Sequence, residues 1–150
     1  MNLYSYHSTP KDLKYYDSGV DDKIPVLAWA KYAKIGKIPE HKELFAKDAE
    51  YSYEYAKAFD ARFKEGEDAI ATSAKYSYYY ANEILNWMHA PLTRFTKGEP
   101  AIAKDAEFSY YYARQVLKGP FPEGEETMKN NPKIWDAYKK TMADYGKEIK

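Results

Sequence analysis

Apolar, small and polar positions recur in columns along most of this chain. Setting Ser52, Ser77 and Ser109 in register aligns "SYEYA", "SYYYA" and "SYYYA" at spacings of 25 and 32 residues. A degenerate copy starts at Trp135, and a worn one precedes them in "AWAKYAK". A helix advances about 100° per residue, so positions 51, 52, 55, 56 and 59 share one stripe. Down the copies the stripe reads Tyr51/Tyr76/Phe108/Ile134, Ser52/Ser77/Ser109/Trp135, Tyr55/Tyr80/Tyr112/Tyr138, Ala56/Ala81/Ala113 and Phe59/Ile84/Val116/Met142. Small residues in such a stripe let helices approach while the rings fill the space between layers. Tryptophan enters the serine column at Trp29 and Trp135, as expected where a terminal unit closes a stack.

A capping column precedes each stripe. Asp48, Ser73, Asp105 and Asn131 occupy the same place in each copy, followed by Ala49, Ala74, Ala106 and Pro132. Their side-chain oxygens suit the unpaired amides of a helix start, and proline is tolerated at the first helical position. A long helix is predicted after each cap. Before it, "RFKEGE", "RFTKGE" and "PFPEGE" place Gly66, Gly98 or Gly124 ahead of Glu67, Glu99 or Glu125, which predicts a short helix opened by a carboxylate. The predicted fold is all-α, a solenoid-like array of four to five helix-turn-helix repeats of about 25 residues. Residues 1–19 form an N-terminal arm with a short helix started by Thr9, Pro10 and Asp12, residues 20–130 the repeats, and residues 131–150 a C-terminal capping helix.

The remaining tyrosines lie off the stripe. Tyr53, Tyr78 and Tyr110 sit about 130° from its centre, with Tyr79 and Tyr111 beside them and Lys57, Asn82 and Arg114 on the same face. Two readings follow: a ladder of rings backed by Lys57 and Arg114 that binds a partner, or packing against the short helix of an adjacent unit. The copies are also unevenly spaced. Eight residues, "NWMHAPLT", separate Leu85 from Arg94, where a single residue separates Asp60 from Arg62. The seven extra residues amount to about two helical turns, so a long helix running on toward His89 keeps its phase. Trp87, Met88 and His89 then form either a binding knob beyond the stack or a local cap on a neighbouring unit.

The unit resembles a helical repeat of uncharacterised tailed-bacteriophage proteins, with copies much like "RFxEGExxIAxDPxxAYxYAxxVL". The matching stretches are "ARFKEGEDAIATSAKYSYYYANEIL" and "RFTKGEPAIAKDAEFSYYYARQVLKGPFPEGE", and the opening "LYSYHSTPKDLKYYD…IPVLAWAKYA" is also similar. The resemblance implies a phage-encoded helical protein and transfers no catalytic residue. Pro120 stands where the pattern has arginine.

Composition narrows the function classes. The chain of 150 residues has no cysteine, which removes disulfides, thiolate metal sites and cysteine nucleophiles. Lys plus Arg equal Asp plus Glu at 23 each, which disfavours a general polyanion binder. No apolar run reaches membrane-spanning length. His7, His41 and His89 lack metal-ligand spacing, and Glu67, Glu99 and Glu125 read as surface acids at helix starts. The expectation is a non-enzymatic, cofactor-free, monomeric protein of the infected host's cytoplasm. It binds a host protein, such as a defence or regulatory factor, through Tyr53, Tyr78, Tyr79, Trp87, Met88, His89, Tyr110, Tyr111 and Arg114. The alternative is RNA binding along the tyrosine and basic ladder.

Overall fold

The structure, a computed structural model, describes residues 45–86 and 93–149. The predicted arm, the "AWAKYAK" copy with Trp29, and the Trp87–Met88–His89 projection lie outside those residues. Among the described residues there are seven α-helices and no strand. They are α1 (Ala49–Phe59), α2 (Glu67–Ile70), α3 (Ala74–Tyr79), α4 (Glu99–Ile102), α5 (Ala106–Tyr111), α6 (Pro122–Lys129) and α7 (Pro132–Asp144). A 3-10 turn, Lys64–Gly66, leads into α2. Helices α3 and α5 run on as π-helical segments, Tyr80–Leu85 and Tyr112–Leu117.

All four predicted caps form. Asp48 accepts from the Tyr51 amide, Ser73 from Tyr76, Asp105 from Phe108 and Asn131 from Ile134, at 3.1, 3.3, 3.0 and 3.3 Å. Each capping residue has extended backbone, so the long helix starts one residue later, as side-chain capping requires. The stripe also lands in the core. Tyr80, Tyr112 and Tyr138 are fully buried, as are Ala56, Ala81 and Ala113 and the serines Ser52, Ser77 and Ser109. Each serine hydroxyl donates to the carbonyl seven residues back, at Phe45, Ile70 or Ile102, which ties the short helix to the long one.

The small column explains the glycines. Gly66 and Gly98 have negative φ, −94° and −87°, and Gly124 is not in the positive-φ region, so left-handed geometry is not the reason for them. The reason is space. A Cβ on Gly66 would lie 2.6 Å from Ser52 Cβ; on Gly98, 2.4 Å from Ser77 Oγ; on Gly124, 2.5 Å from Ser109 Oγ. Each glycine lies in the turn or short helix that follows a long helix and approaches the serine of that preceding helix. Glycine against serine is therefore the contact between successive units. In α7 Trp135 takes the serine position, stacked on Tyr138 with ring centroids 5.5 Å apart.

The long helices end differently because the joints differ in length. In α1 the left-handed cap Asp60 lies eight residues after Ser52, while in the third copy the left-handed cap Lys118 lies nine after Ser109. The π segment Tyr112–Leu117 takes up the additional residue. The same carbonyl accepts the cap residue's own amide in each copy, from Asp60, Asn86 or Lys118, and takes a second donor: the Ala61 amide at Ala56 O, the Gly119 amide at Ala113 O, and Asn86 Nδ2 at Ala81 O at 2.7 Å. Asn86 Nδ2 also donates to Thr93 O, and its Oδ1 accepts from the Thr93 amide, so Asn86 joins the two ends of the insertion.

Replacing Gly98 by alanine forces Ser77 and Phe95 apart. The expected loss of stability is about 1–3 kcal/mol by urea unfolding, partly recovered when Ser77→Gly is added. A Gly98→Ala variant as stable as the parent would show that the close approach is not required.

Candidate functional site

Two polar or aromatic arrangements recur among the described residues, and only one of them faces solvent. The first is a buried clamp. Phe63 N–H, Phe95 N–H and Phe121 N–H donate to the hydroxyls of Tyr80, Tyr112 and Tyr138 at 2.9, 3.0 and 3.1 Å. The same hydroxyls donate to Glu67, Glu99 and Glu125 at 2.9, 2.7 and 2.8 Å. In the first two clamps an arginine completes the ring: Arg62 Nε to Glu67 at 2.6 Å and Arg94 Nε to Glu99 at 2.7 Å, each with a second bond from the other guanidinium nitrogen.

This corrects the sequence reading of these acids. Glu67 and Glu99 are only 3 % and 8 % exposed and are not surface acids at helix starts. Each does open a short helix, but its carboxylate turns inward to a tyrosine. Glu125 lies in the first turn of α6 and is half-buried, its carboxylate likewise turned to a tyrosine. Burial pushes the Glu99 carboxyl up, yet the hydrogen bonds from Arg94 and Tyr112 outweigh it, and the group titrates below the ordinary carboxylate range. Burial pushes the Tyr80, Tyr112 and Tyr138 hydroxyls far up, so they remain donors. In the first two clamps the carboxylate is held by both the tyrosine and the arginine. The clamp's spacings were present in the sequence: tyrosine follows the phenylalanine by 17 residues and the glutamate by 13 in every copy.

The second arrangement is an aromatic strip across α1, α3 and α5. Tyr53 meets Tyr76 and Tyr79 at ring centroid distances of 5.7 and 5.9 Å. Tyr78 meets Tyr79, Phe108 and Tyr111 at 5.5, 5.8 and 5.8 Å, and Tyr110 meets Tyr111 at 5.8 Å. Tyr53 and Tyr78 are buried between successive long helices, so the neighbour they pack on is the next long helix rather than a short one. The Tyr53 hydroxyl donates to Glu83, which Lys57 approaches at 3.6 Å, and Tyr110 pairs with Thr141 at 3.1 Å. Tyr76, Tyr79, Phe108, Tyr110 and Tyr111 are half-buried, each presenting part of a ring. Lys75 lies over Tyr76 at 5.2 Å and the exposed Arg114 over Tyr110 at 6.0 Å. The Tyr111 hydroxyl donates to the exposed Glu107 at 2.7 Å, which pushes that hydroxyl's pKa up.

The structure thus brings together Tyr53, Tyr78, Tyr79, Tyr110, Tyr111 and Arg114 in one band, the first two as its buried backing. Among the described residues no group of three His, Asp or Glu side chains is placed to hold a metal, and no helix is long and apolar enough to cross a membrane. Comparison with protein-family models, with curated proteins and with solved structures gives no match.

The clamp makes two measurable demands. Tyr112→Phe strands the Phe95 amide and part of Glu99, and is expected to cost about 1–3 kcal/mol in urea unfolding. The depressed Glu99 pKa gives a stabilisation fully present above the unfolded value of about 4.3 and lost as pH falls through the folded one. Melting temperature should therefore fall more steeply below pH 4 in the parent than in Glu99→Gln. Parallel curves would rule out this contribution.

Proposed function

We propose that this chain is a phage-encoded, non-enzymatic binding protein that engages a host protein through the aromatic strip. Its helical units form a solenoid-like array of four to five repeats, acting in the host cytoplasm on a defence or regulatory factor. The single observation behind this reading is the continuity of half-exposed rings from Tyr76 and Tyr79 on α3 to Phe108, Tyr110 and Tyr111 on α5. These rings pack on the core with one side and leave the other partly open, Tyr76 and Phe108 at the edge of the stripe and Tyr79, Tyr110 and Tyr111 beyond it. Tyrosine offers a large contact area at low conformational cost, and it is enriched where interfaces concentrate their energy. Burial of Tyr53 and Tyr78 behind the strip holds the outer rings in place before any partner arrives, which lowers the ordering cost of binding.

The charge pattern favours protein over RNA. Bases stack on open ring faces beside cations, and the phosphates need a basic track. Here Glu107 occupies the edge at Tyr111, and Glu83 lies between Tyr53 and Lys57. A phosphate chain along the strip would run past these carboxylates.

Affinity capture from the natural host tests this reading. Tyr79→Ala with Tyr111→Ala is expected to weaken the captured partner's affinity by about tenfold or more, while Tyr112→Phe lowers stability and leaves binding intact. Capture unaffected by the double substitution would sink the strip as the binding surface. RNA affinity that falls steeply with salt and depends on Arg114 would instead favour the alternative.

A further inference from the structure

The third clamp lacks its arginine. Pro120 stands one residue before Phe121, where Arg62 precedes Phe63 and Arg94 precedes Phe95. The other parts are in place: Phe121 N–H donates to Tyr138 Oη at 3.1 Å, and Tyr138 Oη donates to Glu125 Oε1 at 2.8 Å. Among the described residues no cation reaches Glu125, and the nearby cation Arg94 goes to Glu123 at 3.8 Å.

The two complete clamps show what such a carboxylate takes. In both, a guanidinium approaches from the solvent side, with arginine side chains 46 % and 49 % exposed over carboxylates 4 % and 10 % exposed. Both make paired bonds to the two carboxylate oxygens, the geometry that distinguishes arginine from lysine. At Glu125 the carboxylate is half-buried rather than buried, so its open side meets water. Pro120 has no side chain able to fill the space and no amide to donate.

We propose that Glu125, held by Tyr138, is a receptor for the guanidinium of an arginine side chain on a partner protein. The guanidinium takes the position that Arg62 and Arg94 occupy in the sister clamps, giving paired bonds to Glu125. Glu123, already facing Arg94, adds a second carboxylate at the rim. This site lies at α6 and is independent of the aromatic strip, so either can fail without the other.

The test is an amide NMR titration of the intact chain with N-acetyl-arginine methylamide, methylguanidinium and N-acetyl-lysine methylamide. The Phe121 amide, one bond from Tyr138, is the reporter. Capped arginine is expected to bind in the millimolar range, about fivefold or more tighter than capped lysine. Glu125→Gln should weaken it by about tenfold. Pro120→Arg should abolish it, because the chain's own guanidinium then occupies the place. Equal binding of lysine, unchanged binding in Glu125→Gln, or no binding of methylguanidinium would each overturn the assignment. Should Pro120→Arg lose its dispersed spectrum, the glutamine variant and the lysine comparison decide the matter alone.

Discussion

A buried carboxylate that must be satisfied organises this molecule. Taking Glu67 or Glu99 out of water is costly unless every lone pair finds a donor. These two units meet that requirement with a tyrosine hydroxyl and an arginine, and the tyrosine in turn accepts the amide of the phenylalanine that starts the turn. One carboxylate therefore fixes the entry of the turn, the start of the short helix and the depth of the long helix. The glycine–serine contact then sets how far the next unit sits from the last. The clamp works within a unit, the glycine between units.

That division accounts for the uneven spacing. The stretch from the arginine or proline column to the buried tyrosine is 18 residues in each of the three copies: Arg62 to Tyr80, Arg94 to Tyr112, Pro120 to Tyr138. All length variation falls between a buried tyrosine and the next turn, where only one alanine carbonyl has to be closed. The cap residue's own amide reaches it in every copy, and the second donor is a later backbone amide after α1 and α5 but the Asn86 side chain where the seven-residue insertion intervenes. The π segment in α5 has the same origin, since its one additional residue is absorbed after the clamp has been made.

Much of this was legible in the residues. The capping column and the large-small stripe located every long helix among the described residues, because caps and periodicity are local signals. The serine and alanine columns implied close approach, and Gly66, Gly98 and Gly124 supplied its other half. The clamp was harder to see. An acid behind a glycine at a helix start is an ordinary surface feature, and only the constant intervals of 13 and 17 residues set these acids apart. Which neighbour Tyr53 and Tyr78 pack on was not legible, because rotation about one helix does not say whether a short or a long helix lies across from it. The loss of arginine at Pro120 was visible as a departure from pattern, but its meaning required seeing where Arg62 and Arg94 go.

The short reach of the clamp bears on how the chain finds its fold. Its three bonds join residues no more than 17 apart, and each serine bond spans only seven. Such contacts close small loops at little entropic cost, so the search for structure is mostly local. The glycine–serine contacts then join one described unit to the next. Among the described residues there is no strand pairing to wait for. A chain built this way is expected to reach its native state quickly.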